Sequence, residues 1–126
     1  MLLPTQTNVL KFWIPGRVVP KARPRFNGSQ AYLPSGYRGW RSAAYLEVLS
    51  QLTNQTKTLP IQKAAVEIQL VGQRQGDLDN VLGSCLDLLV QSQVIIDDRI
   101  SCIPEMSIKS VPGEPVGVKI KVVTLD

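Results

Sequence analysis

The chain has 126 residues, 44% of them apolar, with mean hydropathy near zero (+0.03) and a formal charge of +4. That length supports one domain, burying about two-thirds of its unfolded surface around a single core, and the composition excludes a disordered tail. With no histidine and two cysteines, Ser-His-Asp and Cys-His catalysis and a Cys/His zinc site are excluded too.

No apolar run approaches the ~20 residues of a membrane span. The first four residues lack the basic-then-apolar layout of a signal peptide, so a cytoplasmic location is expected. Residues 8–14 alternate loosely and are rich in Leu, Phe, Trp and Ile, which predicts a first strand. Pro15, Gly16, Pro20, Pro24, Gly28, Pro34 and Gly36 then punctuate the chain. Residues 15–36 are therefore expected to form a long basic loop, of the kind that is functional or mobile.

A helix follows from Tyr37 to about Gln55, with Tyr45, Val48, Leu49 and Leu52 on its buried stripe. Residues 64–71 alternate with Val66, Ile68 and Leu70 on one face, predicting a second strand. After a turn at 72–76, Asp77 is positioned to cap a second helix reaching about Ser92. Its apolar side is Leu78, Val81, Leu82, Cys85 and Leu89. Residues 94–96 are strand-like and 97–99 form a turn. Residues 100–110 and 116–125 alternate, and Pro112-Gly113 between them predicts an antiparallel hairpin. The expected fold is a single α+β domain over 1–126, a small mixed or antiparallel sheet with helices packed on one face. Cys85 and Cys102 fall in core-like segments and read as buried thiols.

Charge is unevenly placed. Residues 1–46 hold Lys11, Arg17, Lys21, Arg23, Arg25, Arg38 and Arg41 and no acid, whereas residues 47–126 hold seven bases against ten acids. A basic N-terminal third beside an acidic centre suits a protein that grips a polyanion and binds cations. Lys21, Arg23 and Arg25 surround the aromatic Phe26, so phosphate contact is expected there, with Phe26, Tyr32 or Trp40 available to stack on an unpaired base. For Trp40, core packing is the stronger expectation.

Five of the ten acids lie between positions 77 and 98: Asp77, Asp79, Asp87, Asp97 and Asp98. Carboxylates without imidazole suit Mg²⁺ or Mn²⁺, which prefer oxygen ligands, and such metals are the usual apparatus for hydrolysing phosphodiesters. The ordinary explanation is also available. An Asp N-cap and an acid in the first helical turn are worth ~1 kcal/mol each, and Asp-Asp is common in turns. For Asp98 to join Asp77 and Asp79, the chain must run down the helix and return along residues 94–96. A DxD pair also occurs in nucleotide-dependent transferases, but no Gly-rich phosphate loop accompanies it here.

Taken together, Asp77-Leu78-Asp79-Asn80, Asp87 and Ile96-Asp97-Asp98 with Ile100 just beyond resemble the RusA family of Holliday junction resolvases. The likeness extends to Ile14-Pro15-Gly16, the basic loop from Lys21 to Phe26, and Lys109. It implies a Mg²⁺-dependent (or Mn²⁺-dependent) endodeoxyribonuclease, largely phage- or prophage-borne, that acts as a homodimer and nicks four-way DNA junctions symmetrically. By position, Asp77, Asp79 and Asp98 match the catalytic metal ligands, with Asn80 and Asp97 supporting them. Asp87 matches a further family acid. Lys21, Arg23, Arg25, Arg74 and Lys109 are the expected DNA contacts. One position departs: where the family usually has a lysine, four residues after the second aspartate, this chain has Gly83. The alternative reading is therefore a catalytically weakened protein of the same fold that only binds branched DNA.

Overall fold

Period-two alternation is what builds the sheet. In β1 (Val9–Pro15), Leu10, Phe12 and Ile14 are buried while Lys11 and Pro15 are exposed. The same rule holds in β4 (Ala64–Val71), with Ala64, Val66, Ile68 and Leu70 inward, and in β6 (Gly117–Thr124), with Val118, Ile120 and Val122 inward. The computed structural model describes residues 8–21, 25–28, 30–32, 35–53, 55 and 58–125, with backbone alone for 25–27 and 30–32. The remaining elements are β2 (Arg25–Asn27), β3 (Gln30–Tyr32), α1 (Ser35–Leu52), α2 (Leu78–Gln91) and β5 (Glu105–Val111).

The sheet has the order β1-β6-β4-β5. β6 pairs antiparallel with both β1 and β4, and β5 pairs parallel with β4. Ala44 and Val48 of α1, with Val81, Cys85, Leu88 and Leu89 of α2, are buried against the inward face. The expected α+β architecture, a mixed sheet with its helices on one face, is what forms. Among the described residues no helix is long and apolar enough to cross a membrane.

Four expectations are corrected. Residues 100–110 and 116–125 do not make a hairpin, because β5 and β6 flank β4 on opposite sides. The β4–α2–β5 crossover returns the chain parallel to β4, and residues 112–116 then cross the end of β4, where the Gly72 N–H donates to Val111 O at 2.8 Å. A Cβ at Gly72, whose φ is +74°, would stand 2.7 Å from Gly113 O. Periodicity within a strand cannot say which strand is its neighbour. β5 also starts only at Glu105, and Ile100 is left outside it. On α1 the buried stripe is Tyr37, Ala44 and Val48, while Leu49 faces out. Finally, the predicted loop over 15–36 contains the short ribbon β2–β3.

α1 closes one border of the sheet. Gln51 accepts from the Trp13 N–H at 2.8 Å and donates to Trp13 O at 2.7 Å. Gln55 does the same for Lys11, at 2.9 and 3.1 Å. Gln51 lies in the last turn of α1 and Gln55 just beyond its end, and together their side-chain amides stand in for a neighbouring strand. Strand edges left open invite pairing with other chains.

On the outward face the six-membered ring of Trp13 lies over Gly117, in the space a Cβ would occupy. Gly117→Ala should therefore destabilise the fold by about 1–3 kcal/mol through overpacking. Urea denaturation should show that cost largely removed in a Trp13→Ala background, a non-additivity that would be missing if the glycine served only backbone flexibility.

Candidate functional site

The acidic motif sits where β4 ends and α2 begins. Gly76 turns the chain at φ +108°, packed so closely that a Cβ would lie 3.0 Å from Val81 Cγ2 and 3.1 Å from Pro20 Cγ. Asp77 then stands at the N-cap position with extended backbone, yet its side chain makes no capping hydrogen bond. Its nearest partner is the Asn80 amide, 3.4 Å from Oδ2. Asp79 Oδ1 accepts from the Asn80 N–H, at 3.0 Å, and from no other of the described residues. Both carboxylates are exposed. The ordinary reason for an aspartate at this position, a helix cap, is thus not in use.

A second segment is stitched alongside. Gln73 is buried, accepts from the Val18 N–H at 2.8 Å and donates to Val18 O at 3.0 Å. The Ser84 hydroxyl donates to Val19 O at 2.6 Å, and the Lys21 N–H donates to Asn80 O at 3.0 Å. The basic loop therefore departs from the first turn of α2, beside Asp79 and Asn80. Gln73 and Ser84 went unrecognised in the sequence, because a buried polar residue in a loop or on a helix leaves no periodic mark.

Asp97 and Asp98 lie at the other end of the domain. Ile95 bridges Ile61, just before β4, and the Ile96 N–H donates to Ile61 O at 3.0 Å. α2, at 14 residues, spans about 21 Å, and the chain does not turn back toward Asp77 until β5, after Asp98 has been passed. The expected return along 94–96 does not occur, so one chain does not bring Asp98 to Asp77 and Asp79. Among the described residues no three His, Cys, Asp or Glu side chains cluster as a metal site. Asp97 is paired with Arg99 at 3.1 Å and accepts from the Asp98 N–H at 2.8 Å, which orients its neighbour. Asp77, Asp79 and Asp98 make no ion pair among the described residues.

Asp87 has a different fate. It accepts from the Tyr37 hydroxyl at 2.6 Å and pairs with Arg41 at 3.3 Å and Lys21 at 3.4 Å. Arg41 also stacks 5.6 Å from the Tyr37 ring centroid. Burial alone would raise the Asp87 carboxyl pKa, but the Tyr37 hydrogen bond and the two cations outweigh it, and the net shift is downward. Burial, together with the Asp87 hydrogen bond and charge, pushes the Tyr37 hydroxyl well above the usual tyrosine range. The cluster ties the root of the basic loop and α1 to α2. Trp40 stacks on Tyr37 at 6.4 Å between centroids and packs against the core, as expected.

Nothing in the packing requires a glycine at Gly83. The Lys21 side chain runs across it, and a Cβ at 83 would meet Lys21 Cδ at 3.5 Å, an ordinary contact. Its ammonium then reaches Asp87, one helical turn beyond position 83. Arg74 is exposed in the 72–76 turn, and Lys109 is exposed on the sheet face away from α2. Arg23 lies outside the described residues, and of Arg25 only the backbone is described. Cys85 and Cys102 are free and buried, the Cys85 thiol pKa being pushed up to about 12 by burial.

Compared with known proteins, residues 15–123 match the family model for Endodeoxyribonuclease RusA. No curated protein matches the chain.

With its pKa lowered in the folded state, Asp87 contributes stability that is present above the unfolded carboxylate value of about 3.9 and is lost as pH falls through the folded value. Asp87→Asn should lower stability at neutral pH and flatten its acid dependence. Urea midpoints measured between pH 7 and pH 2 read this directly; parallel curves for the two proteins would remove Asp87 from the clamp.

Proposed function

This chain belongs to the RusA family of endodeoxyribonucleases, and from that premise we propose that it is a divalent-metal-dependent resolvase. It cuts four-way DNA junctions as a homodimer whose metal centre needs carboxylates from both copies. The observation that carries this reading is the state of three acids. Asp87 and Asp97 are ion-paired, whereas Asp77 and Asp79 form an uncapped, exposed pair at one end of the domain and Asp98 an unpaired acid at the other.

The donors suit Mg²⁺ or Mn²⁺ in kind, being hard carboxylate oxygens. Within one chain they fall short in number. A second copy supplies what is missing when its Asp98 meets Asp77 and Asp79 of the first, with Asp97 and Asn80 holding the ligands in place. The apolar surface supports this arrangement. Leu78 (55% exposed) borders Asp77 and Asp79, while Ile96 (43%) and Ile100 (85%) border Asp97 and Asp98. Large exposed apolar side chains mark contact surfaces when they group, and a two-fold dimer sets one patch against the other twice. Two equivalent centres also match a junction that must be nicked on two strands.

When bound, the metal supplies Lewis acidity and a more acidic water for attack on the phosphodiester. The chain's own residues position the strand. Lys21, whose N–H is bonded to Asn80 O, is assigned with Arg23 and Arg25 to hold backbone phosphates without reading sequence, with Arg74 on the 72–76 turn. Lys21, lying across Gly83, takes the position from which the family's lysine would act. The competing reading, a branched-DNA-binding protein weakened in catalysis, rests on Gly83; in the reading proposed here Lys21 supplies the missing charge.

Asp79→Asn and Asp98→Asn should each abolish junction nicking in Mg²⁺. Mixed one to one and re-equilibrated, they should recover roughly a quarter of wild-type nicking, because each mixed dimer rebuilds one complete centre. No recovery, with mixed dimers present by native mass spectrometry, would return all three acids to one chain. Lys21→Ala should cut the nicking rate about tenfold or more, and adding Gly83→Lys should restore it. Single-turnover kinetics separate this from weaker binding, and a double variant as slow as Lys21→Ala would leave the catalytic charge unassigned to Lys21.

A further inference from the structure

The face of the sheet that the helices leave uncovered carries its own pattern. Registers across the strands place Trp13, Lys119, Gln69 and Lys109 in one row and Lys11, Lys121, Glu67 and Ser107 in the next. Two adjacent rows therefore hold four lysines against one acid, Glu67, which pairs with Lys121 at 3.3 Å. Lys11, Lys109 and Lys119 make no ion pair among the described residues, and all three are exposed. A solvated sheet face ordinarily mixes both signs.

Two further features distinguish these rows. The face is concave, a basin of about 580 Å³ lined by Lys11, Trp13, Gln51, Glu67, Lys119 and Lys121 among others. It also presents a tryptophan, which is costly to leave in water. Trp13 stays partly exposed while its six-membered ring rests on Gly117 and its backbone is held by Gln51. The ring is thus fixed against the sheet before any ligand arrives. A rigid aromatic beside a row of unpaired ammonium groups is what single-stranded nucleic acid needs, the ring for a base and the cations for consecutive phosphates.

We propose that this open sheet face is a second DNA site that binds an unpaired strand, with a base against Trp13 and the backbone across Lys11, Lys119 and Lys121. It lies on the side of the sheet opposite α2 and is separate from the Asp77–Asp79 end. The proposal rests on DNA as substrate but not on catalysis. A second copy is the poorer occupant, because two-fold stacking of this face would set lysines against lysines.

The test uses the full chain in EDTA, with oligo(dT) and a duplex of equal length as probes, and the triple variant Lys11→Gln/Lys119→Gln/Lys121→Gln. Affinity for oligo(dT) should fall at least tenfold, and the slope of log affinity against log salt should shrink by about 2. In a Trp40→Phe background, where Trp13 is the remaining indole, oligo(dT) should quench its fluorescence and duplex should not. Unchanged affinity and slope in the triple variant, or an unquenched Trp13, would overturn the proposal. So would a changed sedimentation coefficient with unchanged affinity, which would make the face a contact between copies. Junction nicking in Mg²⁺ is scored separately: a wild-type protein that binds oligo(dT) through this face but never cuts refutes the resolvase reading and leaves this site standing.

Discussion

Segment 17–21 is held to the start of α2 and its preceding turn by four hydrogen bonds. Val18 is held by the Gln73 amide, Val19 O by the Ser84 hydroxyl, and the Lys21 N–H by Asn80 O. Each joins groups that would be costly to bury unpaired. Their joint effect is positional. Lys21 is held within a turn of Asp79, so a cation is anchored next to exposed negative charge. The Asp87 cluster secures the same root from its other side, through the Lys21 side chain and, from α1, through Tyr37 and Arg41.

That arrangement places opposing electrostatic demands on one helix. Exposed carboxylates at Asp77 and Asp79 repel each other and any phosphate brought near, and the N-terminal dipole of α2 offsets only part of this. A divalent cation shared with a second copy would relieve the repulsion and turn the same residues into a strand-cutting centre. Asp87 shows the contrasting solution, in which three protein donors neutralise the acid and leave it structural. Similar side chains on one helix are thus separated in role by what surrounds them.

Much of the architecture was legible beforehand, because it follows from short-range patterns. Alternation located β1, β4 and β6, the Gly76-Asp77 junction located the start of α2, and the missing histidines pointed to oxygen-ligand chemistry. What escaped was non-local. Nothing in the alternation of 100–110 says that β5 joins β4 in parallel and leaves Ile100 outside. The stripe of α1 was misplaced because Ala44 packs inward where Leu49 looked the better candidate. The predicted return of Asp98 toward Asp77 failed for a similar reason, since element lengths permit a path without choosing it. Gly83 is an anomaly in the sequence that the packing does not require, since a Cβ there would make only an ordinary contact with Lys21.

Gln51, on α1, and Gln55, just beyond its end, have one more effect. With Gln51 and Gln55 occupying the main-chain donors and acceptors of Lys11 and Trp13, β1 offers no free ladder at those positions, while β5 pairs on one side only among the described residues. Lateral growth of the sheet is therefore polar: any additional strand, whether from a sister molecule or a foreign peptide, has a single border on which to dock. That border carries Glu105 and Lys109, whose desolvation discourages casual adhesion.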